Sequence, residues 1–128
     1  MSAGSAWSER VREQFRLAHG AGGLAPAPGV GRGCAGAVSW GTSVRVDVRL
    51  GPDGRLAGFG WQCFGCPAAQ AACSLLAATA VGLTAGESQA LSPSWMAMEL
   101  ELPPERMGAL VLVEDAFRRA LADAGGVQ

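Results

Sequence analysis

The stretch from Pro67 to Leu83 is the most apolar part of the chain, Ala-rich and carrying only Gln70, Ser74 and Thr79 as polar side chains. A bilayer-spanning helix needs about 20 predominantly apolar residues, and this run is shorter and more weakly apolar. It reads instead as a buried helix, apolar on nearly every face. Pro67 suits its first turn, where the missing N–H costs nothing, and the helix is expected to stop near Gly82. A chain with such a helix at its centre must wrap its remaining elements around it.

The 128 residues are one domain's worth, 1–128, with room for a single core. Apolar residues make up 49% and charged ones 16%, which excludes global disorder. Arg alone supplies the ten cations against eleven Asp plus Glu, for a net charge of −1. That balance argues against a nucleic-acid-binding surface. Lysine is absent and His19 is the single histidine. A Schiff-base lysine, a P-loop and a multi-histidine metal site are therefore excluded. Glu9, Arg10 and Arg12 arrive before any apolar signal region can form, so the chain reads as cytoplasmic, with no membrane insertion. In that compartment Cys34, Cys63, Cys66 and Cys73 read as metal-binding, reactive or buried thiols before disulfides.

Trp7, Val11, Phe15 and Ala18 fall on one face of a helix expected over Ser5 to Ala18. Residues 19–35 are Gly-, Ala- and Pro-rich without periodicity, and are expected to form a long loop. Val44, Val46, Val48 and Leu50 alternate with Arg45, Asp47 and Arg49, as a strand with one buried face does. Gly51-Pro52-Asp53-Gly54 supplies a turn, and Ala57, Phe59 and Trp61 continue into a paired strand. A shorter strand around Ala37 to Trp40 is expected beside them. Thr84-Ala85-Gly86-Glu87 fits a capping box and Ser92-Pro93 a second helix start. Pro103-Pro104 breaks the chain before a last helix with Val113, Phe117, Ala120, Leu121 and Ala124 on one face. The order predicts an α+β fold: a small antiparallel sheet of about three strands with helices packed on one side.

The sharpest local feature is Cys63-Phe64-Gly65-Cys66-Pro67, where a strand hands over to a helix. Amides at a helix N-terminus favour thiolate, the form that binds metal, accepts sulfur or attacks a disulfide. Cys66 is therefore expected to be the most reactive thiol. Cys73, seven residues on, is about 10 Å further along the axis and reads as core. Cys34, in the Gly-rich segment, is placed so that it swings toward Cys63 and Cys66. Three thiolates remain one short of a closed tetrahedral site. No Ser–His–Asp arrangement is legible, and the chain offers nothing as a hydrolase; it reads as a non-enzyme.

Ser8-Glu9-Arg10-Val11 through Phe15, Val44–Val48 with the Gly54 turn, Phe64-Gly65-Cys66-Pro67-Ala68-Ala69, Leu102-Pro103-Pro104-Glu105-Arg106 and Val113-Glu114-Asp115-Ala116 occur in one order and spacing. In them the chain resembles the U-type iron–sulfur cluster scaffold family, IscU and the N-terminal domain of NifU. The resemblance implies an IscU-like fold and a scaffold role, with a cysteine desulfurase, an Hsp70-type chaperone or a larger complex as partners. Leu102, Pro103, Pro104, Glu105 and Arg106 correspond to the chaperone-docking motif. Such scaffolds hold a [2Fe–2S] cluster with three cysteines helped by Asp or His. Aligned from the strand without a gap, those places hold Trp40, Thr42, Cys66, Gly108 and Ala109 here, so Cys66 alone survives. The resemblance then leaves three readings. Cys34, Cys63 and Cys66 form a relocated site for a cluster or zinc, held weakly, shared with a second chain or completed by glutathione. Alternatively the fold has lost its cluster, Trp40 filling the vacated pocket, and acts as an accessory interaction subunit. The third is a CxxC thiol redox protein.

Overall fold

The computed structural model describes residues 7–125, so Ser5 and Ala6 of the first expected helix lie outside the described residues. Helix α1 spans Glu9–Leu17, with the Ser8 side chain accepting from the Val11 amide. Three strands follow, β1 (Val30–Ala37), β2 (Thr42–Leu50) and β3 (Leu56–Phe64). They form one antiparallel sheet in the order β1-β2-β3. Helices α2 (Pro67–Ala80), α3 (Pro93–Leu100) and α4 (Met107–Gly125) complete the chain. The α+β architecture is the one expected.

Alternation sets the layers. Val44, Val46 and Val48 of β2 and Phe59 and Trp61 of β3 face the helices and are buried. Against them lies α2, buried at Ala68, Ala69, Ala71, Ala72, Cys73, Ser74, Leu75, Leu76 and Ala80. Its alanines let it sit deep in the core, and its one wholly buried hydroxyl, Ser74, donates to Gln14 Oε1 and accepts from the His19 amide. The two helix starts behave as their sequences require. Thr84 and Glu87 exchange side chain-to-amide bonds of 3.0 Å each, and Ser92 accepts from the Trp95 amide.

Two expectations are corrected. The loop expected over 19–35 ends at Gly29, because Val30–Ala37 pairs with β2 along its whole length. Its Gly residues hid a strand whose helix-facing side must be nearly flat. The strand expected around Ala37 to Trp40 is a 3-10 turn, Val38–Trp40, joining β1 to β2. What remains of the loop lies along the free edge of β3: Trp61 donates to the Gly20 carbonyl and accepts from the Gly22 amide. That pairing covers an edge that would otherwise template aggregation.

Gly31 and Gly33 are the flat side of β1, where α4 crosses it. A Cβ on Gly33 would overlap the Ala116 carbonyl and the Ala120 amide, both backbone atoms that no rotamer change can move aside. Gly33→Ala is therefore expected to lower stability by about 1–3 kcal/mol as α4 is pushed off the sheet. Urea unfolding checks this; an unchanged midpoint would mean that α4 yields freely at this contact.

Candidate functional site

The β3–α2 junction carries the cysteine pair. Cys63 is the Cα partner of Val44 and so lies on the helix-facing side, half-buried. Gly65 follows at φ +99°, and a Cβ there would overlap the Gly41 carbonyl of the β1–β2 turn. Only glycine lets the junction pass that close, and the contact fixes where the next residue stands. Cys66 is that residue. It is the N-cap of α2 in extended conformation, with its side chain making no capping bond and Pro67 behind it at the first helical position. Cys66 thus presents a thiol beside the unpaired amides of a 14-residue helix.

Burial pushes the Cys63 thiol up to about 12, and its neighbour Cys66 adds to the shift. Cys73 is wholly buried within α2, and burial, then the nearby Cys63, raises its thiol well above the ordinary range. It is core, as its spacing implied.

Cys34 is not delivered to this pair. It lies in β1 as the Cα partner of Arg45, exposed on the sheet face away from the helices. It borders a hollow of about 390 Å³ lined also by Ser43, Arg45, Gln62 and Phe64, with Cys63 at its edge. The strand pairing that replaced the expected loop is the reason: a residue held in a ladder cannot swing, and alternation turns Cys34 and Cys63 to opposite faces. Among the described residues no group of three or more His, Cys, Asp or Glu stands close enough to hold a metal ion.

Trp40 and Thr42 flank Gly41 in the turn that touches Gly65, so they border the Cys66 junction. Trp40 does not fill a pocket, as had been expected; it is 74% exposed. The 3-10 turn holds it outward, alongside the exposed Val38. Gly108 and Ala109 sit in the first turn of α4, and a Cβ on Gly108 would meet nothing within 4 Å. These four places carry an indole, a hydroxyl and, at Gly108 and Ala109, no donor atom beyond the backbone. Leu102 is half-buried, Pro103, Pro104 and Glu105 are exposed, and Arg106 lies 4.4 Å over the Trp7 ring.

Sequence reasoning missed two features of this end of the molecule. One is the largely apolar groove of about 420 Å³ between α1 and the start of α2, lined by Trp7, Val11, Phe15 and Pro67 with Arg12 and Arg16. Phe15 shares a helix face with Val11 by its spacing, yet it is half-exposed, because α1 is a surface helix with only Val11 buried. The other is the Gly41–Gly65 contact, whose only trace in the sequence is a glycine on each side.

The family model described as NifU-like N terminal domain matches residues 6–126. The iron–sulfur cluster assembly scaffold protein IscU of Haemophilus influenzae is 31% identical over 119 residues, 92% of this chain and 94% of that protein. The corresponding IscU of Escherichia coli K12 is 33% identical over 94 residues, 73% of each chain. Among solved structures, the N-terminal part of a nitrogen-fixing NifU-like protein from Brucella abortus superposes with a TM-score of 0.72 at 19% identity, covering 94% of this chain and 95% of that one.

Proposed function

The chain belongs to the NifU-like N-terminal domain family, and from that membership we propose that it is an iron–sulfur cluster assembly scaffold-like protein with a partial cysteine site centred on Cys66. The observation that carries the reading is Cys66 itself, kept at the N-terminus of α2 against the β1–β2 turn, with Cys63 as a second thiol within electrostatic reach. A CxxC pair offers two thiolates, the soft anionic donors that iron and sulfide chemistry needs. The role is one of holding cargo, with no turnover assigned to the chain. A cysteine desulfurase as sulfur source and an Hsp70-type chaperone at Leu102–Arg106 are the partners this reading implies; the exposure of Pro103 and Pro104 supports the second.

Iron and acid-labile sulfide analysis of protein purified and reconstituted without oxygen tests the proposal. Uptake is expected in the native chain and in Cys34→Ser, and its loss in Cys66→Ser and Cys63→Ser. A chain that takes up neither iron nor sulfide at any concentration would sink it.

A further inference from the structure

The sheet face turned away from the helices carries a second arrangement of side chains. Cys34, Arg45 and Gln62 are Cα partners in turn across β1, β2 and β3, so their side chains form one row on that face. The next row is Gly36, Ser43 and Phe64. Gly36 has no side chain and Ser43 a short one, which leaves the hollow of about 390 Å³ between Cys34 and the exposed ring of Phe64. On the other side, the row of Arg32, Asp47 and Gly60 is roofed by the segment after α1. The Leu24 amide reaches Asp47 there, and a Cβ on Gly60 would overlap Gly23. The roof ends at that row, and Cys34 and Gln62 stay exposed.

Charge on this face does not cancel. Asp47 lies between Arg32 and Arg45, and its oxygens are taken by Arg32 Nε at 2.8 Å and by the Leu24 amide at 2.9 Å. Arg45 is left with a contact of 3.5 Å through Nη2 and a buried Nε that has no hydrogen-bond partner. None of the described residues lining the hollow is acidic. The Arg32 guanidinium is also within electrostatic reach of Cys34. A thiol, an under-satisfied guanidinium, an amide and a hydroxyl thus border one open hollow with an apolar wall.

We propose that Cys34 is a site of mixed-disulfide formation with small disulfides that carry carboxylates, Arg45 receiving the carboxylate and Cys34 the sulfur. In the exchange the Cys34 thiol gives its proton to solvent, its sulfur attacks one sulfur of the small disulfide, and the S–S bond of that disulfide breaks. The displaced half leaves as a thiolate and takes up a proton. The protein thiol is oxidised, the small disulfide is reduced by one thiol's worth, and no other oxidant is needed. A carboxylate on the bound half gives Arg45 the acceptor that Asp47 does not, with the Gln62 amide and the Ser43 hydroxyl as further donors. The site lies on the opposite sheet face from Cys63, and it does not depend on the scaffold reading.

Exchange of the native chain with oxidised glutathione, a dianion at neutral pH, and with cystamine, a dication, tests the proposal. Rates at Cys34 are read by peptide mass spectrometry at low ionic strength, beside a short uncharged peptide with one cysteine. The ratio of the two rates cancels the thiolate fraction, so it reads charge recognition alone. It is expected to be about tenfold higher at Cys34 than in the peptide, and to fall toward the peptide's value at high salt. Arg45→Gln removes the receiving cation while Arg32 keeps Asp47 paired, and is expected to abolish the preference. Gln62→Glu adds a carboxylate at an exposed position, and is expected to lower the ratio at least as far; circular dichroism identifies the variants that fold. A native ratio equal to the peptide's overturns the proposal, and so does a folded variant of either kind that keeps the native ratio. A glutathione adduct found on Cys66 and never on Cys34 overturns it as well.

Discussion

Replacing Asp47 with alanine is expected to lower the free energy of unfolding by about 3–5 kcal/mol, the usual cost of leaving a buried ionic partner uncompensated. The carboxylate is fully buried in β2, on the sheet face turned away from the helices. It accepts from the Leu24 amide at 2.9 Å and from Arg32 Nε at 2.8 Å, and Arg45 Nη2 lies at 3.5 Å. Arg45 is already under-satisfied, since its Nε is buried with no hydrogen-bond partner. Without Asp47 its guanidinium loses its counter-ion as well. Arg32 is partly solvated and escapes more cheaply, its own guanidinium now being held charged by the bond to Asp47 and by that carboxylate's charge. The Leu24 amide also ties the segment after α1 across the sheet, so the variant should expose residues 20–29 to protease as well as unfold at lower urea. A loss below about 1 kcal/mol would mean that the three partners re-pair with water at little cost.

Asp47 shows what the sequence displays and what it conceals. Its alternation with Val46 and Val48 placed it correctly on the face opposite the valines, and a polar face on a one-sided sheet is normally taken as solvated. The burial comes from residues 20–24, which carry no periodic signal because glycine and alanine pack by backbone rather than by side chain. The same blindness hid β1. A strand that packs a helix through Gly31 and Gly33 has no apolar row to betray it, and Cys34 was consequently read as mobile when the ladder holds it facing Arg45. By contrast α2, α3, the capping box at Thr84 and the β2–β3 hairpin were legible, since each rests on side chains whose pattern is local: Pro at N1, Ser at the N-cap, Asp-Gly in the turn. The site divides along the same line. Cys63 and Cys66 are a local motif, and their closeness is legible from the spacing alone. That Trp40 stands outside rather than within the site depends on the 3-10 turn, which no residue in Val38–Trp40 announces.

Cys63 is expected to be the slow thiol of the pair, and markedly so. Burial holds its proton up to a pKa of about 12, whereas an unperturbed cysteine sits near 8.5. At pH 8 the thiolate fraction then falls by about three orders of magnitude. The more basic thiolate is also the stronger nucleophile, by a Brønsted slope of about 0.4–0.5, which returns between one and two of those orders. Exchange with an aromatic disulfide reagent should therefore run about a hundredfold slower at Cys63 than at the thiol of a short solvated peptide. Its logarithm should climb by one unit per pH unit, with no plateau before pH 11. The sign for stability follows from the same proton. Above pH 8.5 the unfolded thiol ionises while the folded one does not, so the unfolded chain binds fewer protons and stability falls as pH rises toward 12. Cys63→Ser should remove that part of the alkaline loss. Cys73, sealed in α2, should react only when the chain unfolds, which leaves Cys66 as the member of the motif that meets reagents first. On the scaffold reading proposed above, Cys66 would be the entry point for iron or sulfur, and Cys63 would give up its proton only once a cation stood beside it to replace the charge. A rate at Cys63 that levels off below pH 10 would show that water reaches its sulfur, and that order of events would fall with it.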